Sequence, residues 1–376
     1  FAGITPSNGL ISYLSNNNSH LSINSQFIFS QISSIRISNP VYLEKILFIE
    51  LNIFIIFYLT VSKFHIKKIS ETDKNKLLKF YQASFNYNNS DPSSFGWRYR
   101  LGFKSFEPLV LIVDDEICGH AGLIANDFKI KDNIKTGIWF TDFYVKEKYR
   151  SLGYGKILTQ AWMKICPIQV TLCNETSLKI FKKLDWSYNN KFLRKIKISN
   201  FINFIPILKQ FKNLNVNNDD LEELKLKETD NQTISRIAKE SEQLLSQKSF
   251  GIVRDENWFK WRVLNCPNKK NIIIFNYKDI NIITEIKIKN NFKILNIIYI
   301  SKPINNNLTY LFSRFVKKNN ISFISYISKN NKAFNISFPW SRKLNFAFYA
   351  EDFSIKSLIN DNFNDIQYID SDINFI

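Results

Sequence analysis

Residues Trp139 to Gln160 read WFTDFYVKEKYRSLGYGKILTQ. The first seven alternate in character, with Trp139, Thr141, Phe143 and Val145 on one expected face, so they predict a strand. The strand runs into Arg150-Ser151-Leu152-Gly153-Tyr154-Gly155, and a helix is expected directly afterwards, over 155–165. Gly153 and Gly155 lack Cβ atoms, so the backbone there can approach a ligand closely and adopt positive φ. Main-chain N–H groups of such a loop and of the first helical turn point at an anion, and the helix dipole adds partial positive charge. Arg150 and Lys156 add full charges. The pattern is neither G-x4-G-K-[ST] nor G-x-G-x-x-G.

Working outward, strands are expected at 64–69, 109–114, 117–126, 136–145, 168–173 and 191–198. Helices are expected at 73–85, 92–102, 155–165 and 175–184. The evidence is alternation in the strands and turn residues between them. A related order recurs further along. Glu71-Thr72-Asp73 returns as Glu228-Thr229-Asp230, and Trp97-Arg98 returns as Trp261-Arg262. A polar hairpin turn follows 17 residues after each Trp, at Asp114 and at Lys278. Two tandem related domains are expected, over 63–200 and 221–376, joined by a linker at 201–220. Residues 1–62 are expected to be a leader, Ser- and Asn-rich over 1–45, to which no role is assigned.

The chain has 376 residues, with 51 Lys+Arg against 33 Asp+Glu, a formal charge of +18 and 45% hydrophobic residues. The hydrophobic fraction excludes a wholly disordered chain. Lys, Asn and Ile are heavily used, a bias that accounts for much of the charge. No arginine-aromatic cluster of the kind nucleic-acid binders carry stands out, so no nucleic-acid partner is expected. Four cysteines without C-x2-C spacing exclude a disulfide scaffold and give no metal site, and a reducing, cytoplasmic setting is expected. The most apolar window, 46–61, is shorter than the roughly 20 residues a membrane span needs and carries Glu50 and Asn52, so membrane contact there is the weaker reading.

The strand, R-x-x-G-x-G and helix resemble the pyrophosphate loop of the GCN5-related N-acetyltransferases. Asn174 to Trp186 (NETSLKIFKKLDW), just after the strand IQVTLC, resembles that family's next motif. The resemblance covers roughly 63–200. It implies an α/β fold with a mixed, mostly antiparallel central sheet flanked by helices, in two tandem copies. It implies acetyl-CoA, or another acyl-CoA, as acyl donor, direct transfer to a primary amine of a small molecule, and no metal. The implied cofactor contacts are Phe143, Tyr144 and Val145 on the strand, Arg150, Ser151, Leu152, Gly153, Tyr154, Gly155 and Lys156 in the loop, and Asn174. A main-chain N–H near Tyr144 is the implied donor to the thioester carbonyl. Asp142, the carboxylate on this strand, is the candidate general base.

Two positions depart from the family pattern. Phe181 stands where a Tyr acid is usual, with Tyr188 or water as substitutes, and Asp185 stands where a Gly is usual. Cys173 reads as a small strand residue rather than a nucleophile, and His120 as a hydrogen-bonded sheet histidine. Trp97-Arg98 reads as packing plus a local ion pair. In the second half, Ser301 to Asn307 (SKPINNN) contains no glycine, and Pro303 lacks a donor, so that half is expected not to bind CoA in the usual way but to complete the acceptor cleft. The rival readings are an aminoacyl transferase of the cell-wall-precursor type and a catalytically lapsed acyl-CoA-binding module.

Overall fold

Two-residue hairpin turns organise the sheet. Asp114 and Asp115 (φ 46° and 64°) reverse the chain between β2 (Leu109–Val113) and β3 (Glu116–Ile130). Asn290 and Asn291 (φ 50° and 64°) do the same between β10 (Ile280–Lys289) and β11 (Phe292–Ile300). Asp and Asn tolerate the left-handed region better than other side chains, and two such residues in succession match the twist of the flanking strands. The computed structural model describes residues 63–85, 96–199, 224–302, 306–328, 340–363 and 366–370. The leader and the 46–61 window, the linker 201–220, residues 92–95 of the second expected helix, and Pro303 lie outside the described residues.

The remaining strands are β1 (Phe64–Lys68), β4 (Asn133–Val145), β5 (Ile168–Cys173), β6 (Ser187–Ile198), β7 (Lys225–Lys227), β8 (Phe250–Ile252), β9 (Ile272–Tyr277), β12 (Phe323–Ser328) and β13 (Trp340–Ala350). The helices are α1 (Lys74–Phe85), α2 (Tyr154–Met163), α3 (Glu175–Lys183), α4 (Asn231–Ser246), α5 (Asn306–Lys318) and α6 (Phe353–Asn362). Residues 96–98 are helical, and a helical turn at Glu256–Phe259 continues as a π-helical turn at Lys260–Leu264. The expected strands 117–126 and 136–145 are both longer, reaching Ile130 and starting at Asn133, because they extend as a hairpin whose β3 arm buries Phe128 and Ile130 in the core and pairs with Phe250–Ile252.

All described strands join one sheet in the order β1-β2-β3-β4-β5-β13-β6-β12-β11-β10-β9-β7, with β8 beside β3. Pairs are antiparallel except β4–β5 and β11–β12, so the sheet is mixed and mostly antiparallel. The last strand of each half crosses over: β13 lies between β5 and β6, while β6 pairs with β12. The two expected domains therefore share a sheet instead of each closing its own. Their elements recur in order, β1-α1-β2-β3-β4-α2-β5 against β7-α4-β9-β10-β11-α5-β12.

Residues 62–376 form one compact unit. One apolar cluster runs through both halves, from Ile69, Phe80 and Trp139 to Trp258, Phe346 and Ile369. A second, around Phe275, Phe312 and Phe315, belongs to the later half. At the junction the repeated tryptophans bond reciprocally. Trp97 Nε1 donates to the Trp261 carbonyl and Trp261 Nε1 to the Trp97 carbonyl, each at 2.6 Å. No described helix is long and apolar enough to cross a membrane.

Candidate active site

The parallel strands β4 and β5 pair only at Ile138↔Gln169 and Trp139↔Val170. Beyond that point the Thr171 hydroxyl reaches the Phe140 carbonyl (2.7 Å), and the ladder does not resume. A bulge on β4 drives the divergence. His120 faces Tyr144 and Gly122 faces Thr141, so Asp142 and Phe143 together oppose Ala121. Asp142 has φ 48°. An extra residue bends a strand and shifts its alternation by one.

That shift corrects the expected face. Phe143 lies with Phe140 (ring centroids 5.9 Å apart), whereas Tyr144 packs on the opposite side against Phe80 and Phe85. Val145 lies beside Gly155. Trp139 and Phe143, expected together, are therefore on opposite faces.

Asp142 is not placed as a free base. Arg98 donates to it through Nε (2.9 Å to Oδ2) and Nη2 (3.1 Å to Oδ1), and the Tyr99 hydroxyl donates to Oδ2 (2.8 Å). The pair is nearly dry, with side-chain exposures of 8% and 7%. Three donors thus occupy the carboxylate of Asp142, which also lines the cavity between α2 and α3. The ion pair expected for Arg98 is thus real but not local.

His120 completes the clamp. Its Nδ1 lies 2.8 Å from the Asp142 carbonyl, which can only accept, so Nδ1 carries the proton and Nε2 accepts from the Tyr81 hydroxyl (2.7 Å). Burial pushes the imidazole down to about 4, keeping it neutral. Gly122 sits against this cluster, and a Cβ there would fall 2.7 Å from the Thr141 carbonyl and 3.0 Å from the Tyr99 ring.

The divergence opens a cavity of about 290 Å³ between α2 and α3. Phe140, Phe143, Trp162, Cys173, Asn174 and Phe181 are among the lining residues. Phe140 stacks on Trp162 at 4.0 Å and meets Phe181 edge-on. Phe181 is therefore an apolar wall. Tyr188 is 44% exposed on β6, under the Lys182 ammonium, and is not in the lining. Burial pushes the Cys173 thiol up to about 12, so it stays protonated and is a poor nucleophile. Asn174 caps α3, its Oδ1 accepting from the Ser177 N–H at 2.8 Å. Asp185 has φ 63°, which accounts for the glycine usual at this turn.

Above the cavity, β4 passes into a helical turn at Glu147–Arg150 and then into α2 through Gly153, whose φ is 81°. Arg150 Nε donates back to the Val145 carbonyl (2.8 Å), which places its guanidinium beside the Tyr144 ring. Ser151 and Lys156 are exposed, and Leu152 is half-buried. The Tyr154 ring is buried between Phe64 and Tyr149, so only its main chain can serve a ligand. A Cβ on Gly155 would meet nothing nearer than Val145 Cγ2 at 3.8 Å. The loop is therefore open where an anion would approach. Within the loop the Leu152 N–H already donates to the Tyr149 carbonyl (3.3 Å) and the Lys156 N–H to the Gly153 carbonyl (3.0 Å), so a diphosphate there would meet the main chain around Gly153 to Gly155 and the side chains of Arg150 and Lys156.

Glu116 holds the approach to this loop, a role the sequence reading missed. It accepts from Lys146 Nζ (2.8 Å), Lys148 Nζ (2.6 Å) and the Tyr149 hydroxyl (2.8 Å). Hydrogen bonds from Lys146 and then Lys148 hold its carboxyl down from 4.5 to about 2. A depressed folded value means its contribution to stability is complete above the unfolded value and is lost as pH falls towards 2. Glu116→Gln is expected to flatten the pH dependence of the unfolding midpoint over that acid window. The effect is small because the carboxylate is partly solvated. Thermal melts of both proteins across the window test it, and parallel curves would refute it.

A bulged strand splaying from its parallel neighbour, next to a helix entered through a left-handed glycine, defines an acyltransferase fold. Residues 75–186 match the model of the Acetyltransferase (GNAT) family. Among solved structures, the chain is similar to a GCN5-related N-acetyltransferase from Kribbella flavida, with 11% identity and a TM-score of 0.54 over 77% of this chain and 71% of that one. It is also similar to a GCN5-related N-acetyltransferase from Anabaena variabilis, with 13% identity and a TM-score of 0.51 over 76% and 72%. No curated protein matches the sequence.

Proposed function

We propose that the chain transfers an acetyl group from acetyl-CoA to a primary amine of a small molecule, such as an amino sugar or an amino acid derivative. One observation carries this reading: β4 leaves β5 beside the Gly153 turn, so a wedge adjoins the N-terminus of α2. In this reading the main chain of Arg150 to Lys156 holds the diphosphate, with Arg150 and Lys156 adding charge. Phe143, Val145, Asn174 and the main chain of Tyr144 line the pantetheine path. When bound, acetyl-CoA supplies the thioester and a tolerable thiolate leaving group.

The protein's own share is binding, orientation and a main-chain donor near Tyr144 for the thioester carbonyl. Asp142 shapes the bulge and does not take the proton; the amine loses it to water. The apolar wall at Phe181 leaves protonation of the thiolate to solvent as well. Residues 63–200 form the donor-binding half, 201–220 the linker, and 221–376 a silent half that completes the acceptor cleft. A cytoplasmic setting agrees with the free cysteines at 118, 166, 173 and 266.

Release of CoA thiol is to be followed with acetyl-CoA and a panel of primary amines, then with longer acyl-CoAs. Amine-dependent release is expected. Binding of acetyl-CoA without release would favour the lapsed binding module, and no binding at all would favour the aminoacyl transferase.

A further inference from the structure

We propose that the second half tunes the acyl-transfer wedge from a distance: Trp261, acting through Trp97 and Arg98, holds the Asp142 bulge in place. This inference rests on the proposed acyltransferase reading. Arg98 and Trp261 are then positioning residues, not catalytic ones.

The argument starts from backbone conformation. Asp142 occupies the left-handed region (φ 48°), which a side chain other than glycine adopts at a cost. Such a conformation persists where its surroundings over-determine it. Three donors on the carboxylate and one on the carbonyl do so here. Two of those carboxylate donors come from Arg98 and the third from Tyr99, adjacent residues on one short turn.

That turn is itself held from the other half. The Trp97 carbonyl accepts from the Arg100 N–H (3.1 Å) and also from the Trp261 indole (2.6 Å). The Trp97 indole donates to the Trp261 carbonyl. Arg100 lies 4.8 Å from the Trp261 ring centre, adding a cation–π contact. Displacing Trp261 therefore moves Arg98 and Tyr99, and with them the residues that set the width of the wedge. The turn also has first-half contacts, Tyr99 against the His120 ring and Arg100 Nη1 on the Ala125 carbonyl, and Trp261 adds the anchor from the second half. The repeated Trp-Arg pair thus does more than fill the junction: the first copy reaches the site and the second copy holds the first.

The test measures amide hydrogen exchange of the full chain over residues 139–146, together with affinities for acetyl-CoA and free CoA. Trp261→Phe removes the indole donor and keeps the ring. It is expected to speed exchange at 139–146 about fivefold, the change that follows loss of one hydrogen bond. Arg98→Lys is expected to do more, because an ammonium cannot make the two-pronged contact. In both variants the affinity for acetyl-CoA is expected to fall more than that for free CoA, whereas a merely structural role would weaken the two ligands alike. Tyr310→Ser, at an exposed position on α5, is the control and leaves both readouts unchanged.

Parent-like exchange at 139–146 in a folded Trp261→Phe protein would overturn the inference. So would an equal rise in exchange throughout the chain, α5 included. If Trp261→Phe does not fold, Arg98→Lys carries the same decision about the bulge, and an Arg98→Lys protein with parent exchange overturns it. If the parent binds neither ligand, the proposed function falls, while the exchange result still decides the coupling.

Discussion

Gly153→Pro lowers the affinity for acetyl-CoA at least about 100-fold, equivalent to about 2.7 kcal/mol of binding free energy. The native φ of 81° is far from the value near −65° to which a pyrrolidine ring is restricted, and proline also removes an N–H from the loop. Gly153→Asn, which tolerates the left-handed region, is expected to keep most of the affinity. Gly155→Val separates loop shape from ligand space. Its Cβ has room, with Val145 Cγ2 at 3.8 Å, so the fold is unaffected while the branches fill the face of the loop that an anion would approach. Calorimetric titration gives the affinities, and a thermal melt checks folding. Parent affinity in folded Gly153→Pro would remove the loop from the binding site.

The local parts of this arrangement were legible because local chemistry decides them. Alternation marked β4, paired glycines marked the entrance to α2, and Asp114-Asp115 marked a hairpin. Asn174, marked only as a motif residue, also caps α3, which its place as the first residue of NETS allowed. What escaped is set by residues far apart in sequence. Arg98 pairs with Asp142 across 44 positions, so the apparent base is a clamped carboxylate. The bulge at Asp142 inverts the alternation after it, which moves Phe143 to the other face. A signal for it was present: Gly122 lies inside the strand ICGHAGL, and a glycine within a strand often marks a bulge or a close approach. The crossing of β6 and β13 between halves leaves no trace in periodicity, since a strand's pattern records which face is buried but not its neighbour.

Arg254→Leu destabilises the protein by about 3–5 kcal/mol, the range found when one partner of a buried ion pair is removed. Arg254 Nε reaches Asp370 Oδ1 at 2.7 Å and Nη2 reaches Oδ2 at 2.6 Å, with side-chain exposures of 5% and 0%. Removing the guanidinium leaves a carboxylate without its counter-charge in a site water does not enter. The Gln367 N–H, at 2.8 Å from Asp370 Oδ2, is too weak a substitute. The pair also anchors the segment 366–370. Gln367 brackets Ile300 at the end of β11, accepting from its N–H (2.6 Å) and donating to its carbonyl (3.0 Å). Arg254 follows β8, which pairs with β3 of the first half. One ion pair therefore links three parts of the shared sheet that lie far apart in sequence. Asp370→Leu is expected to cost about as much as Arg254→Leu. The double variant Arg254→Leu/Asp370→Leu is expected to recover most of the loss, because two apolar groups in a dry site incur no charge desolvation. Urea unfolding of the parent and the three variants closes the cycle. Additive losses in the double variant would mean that the two groups are not coupled, and that something other than this pair holds the segment in place.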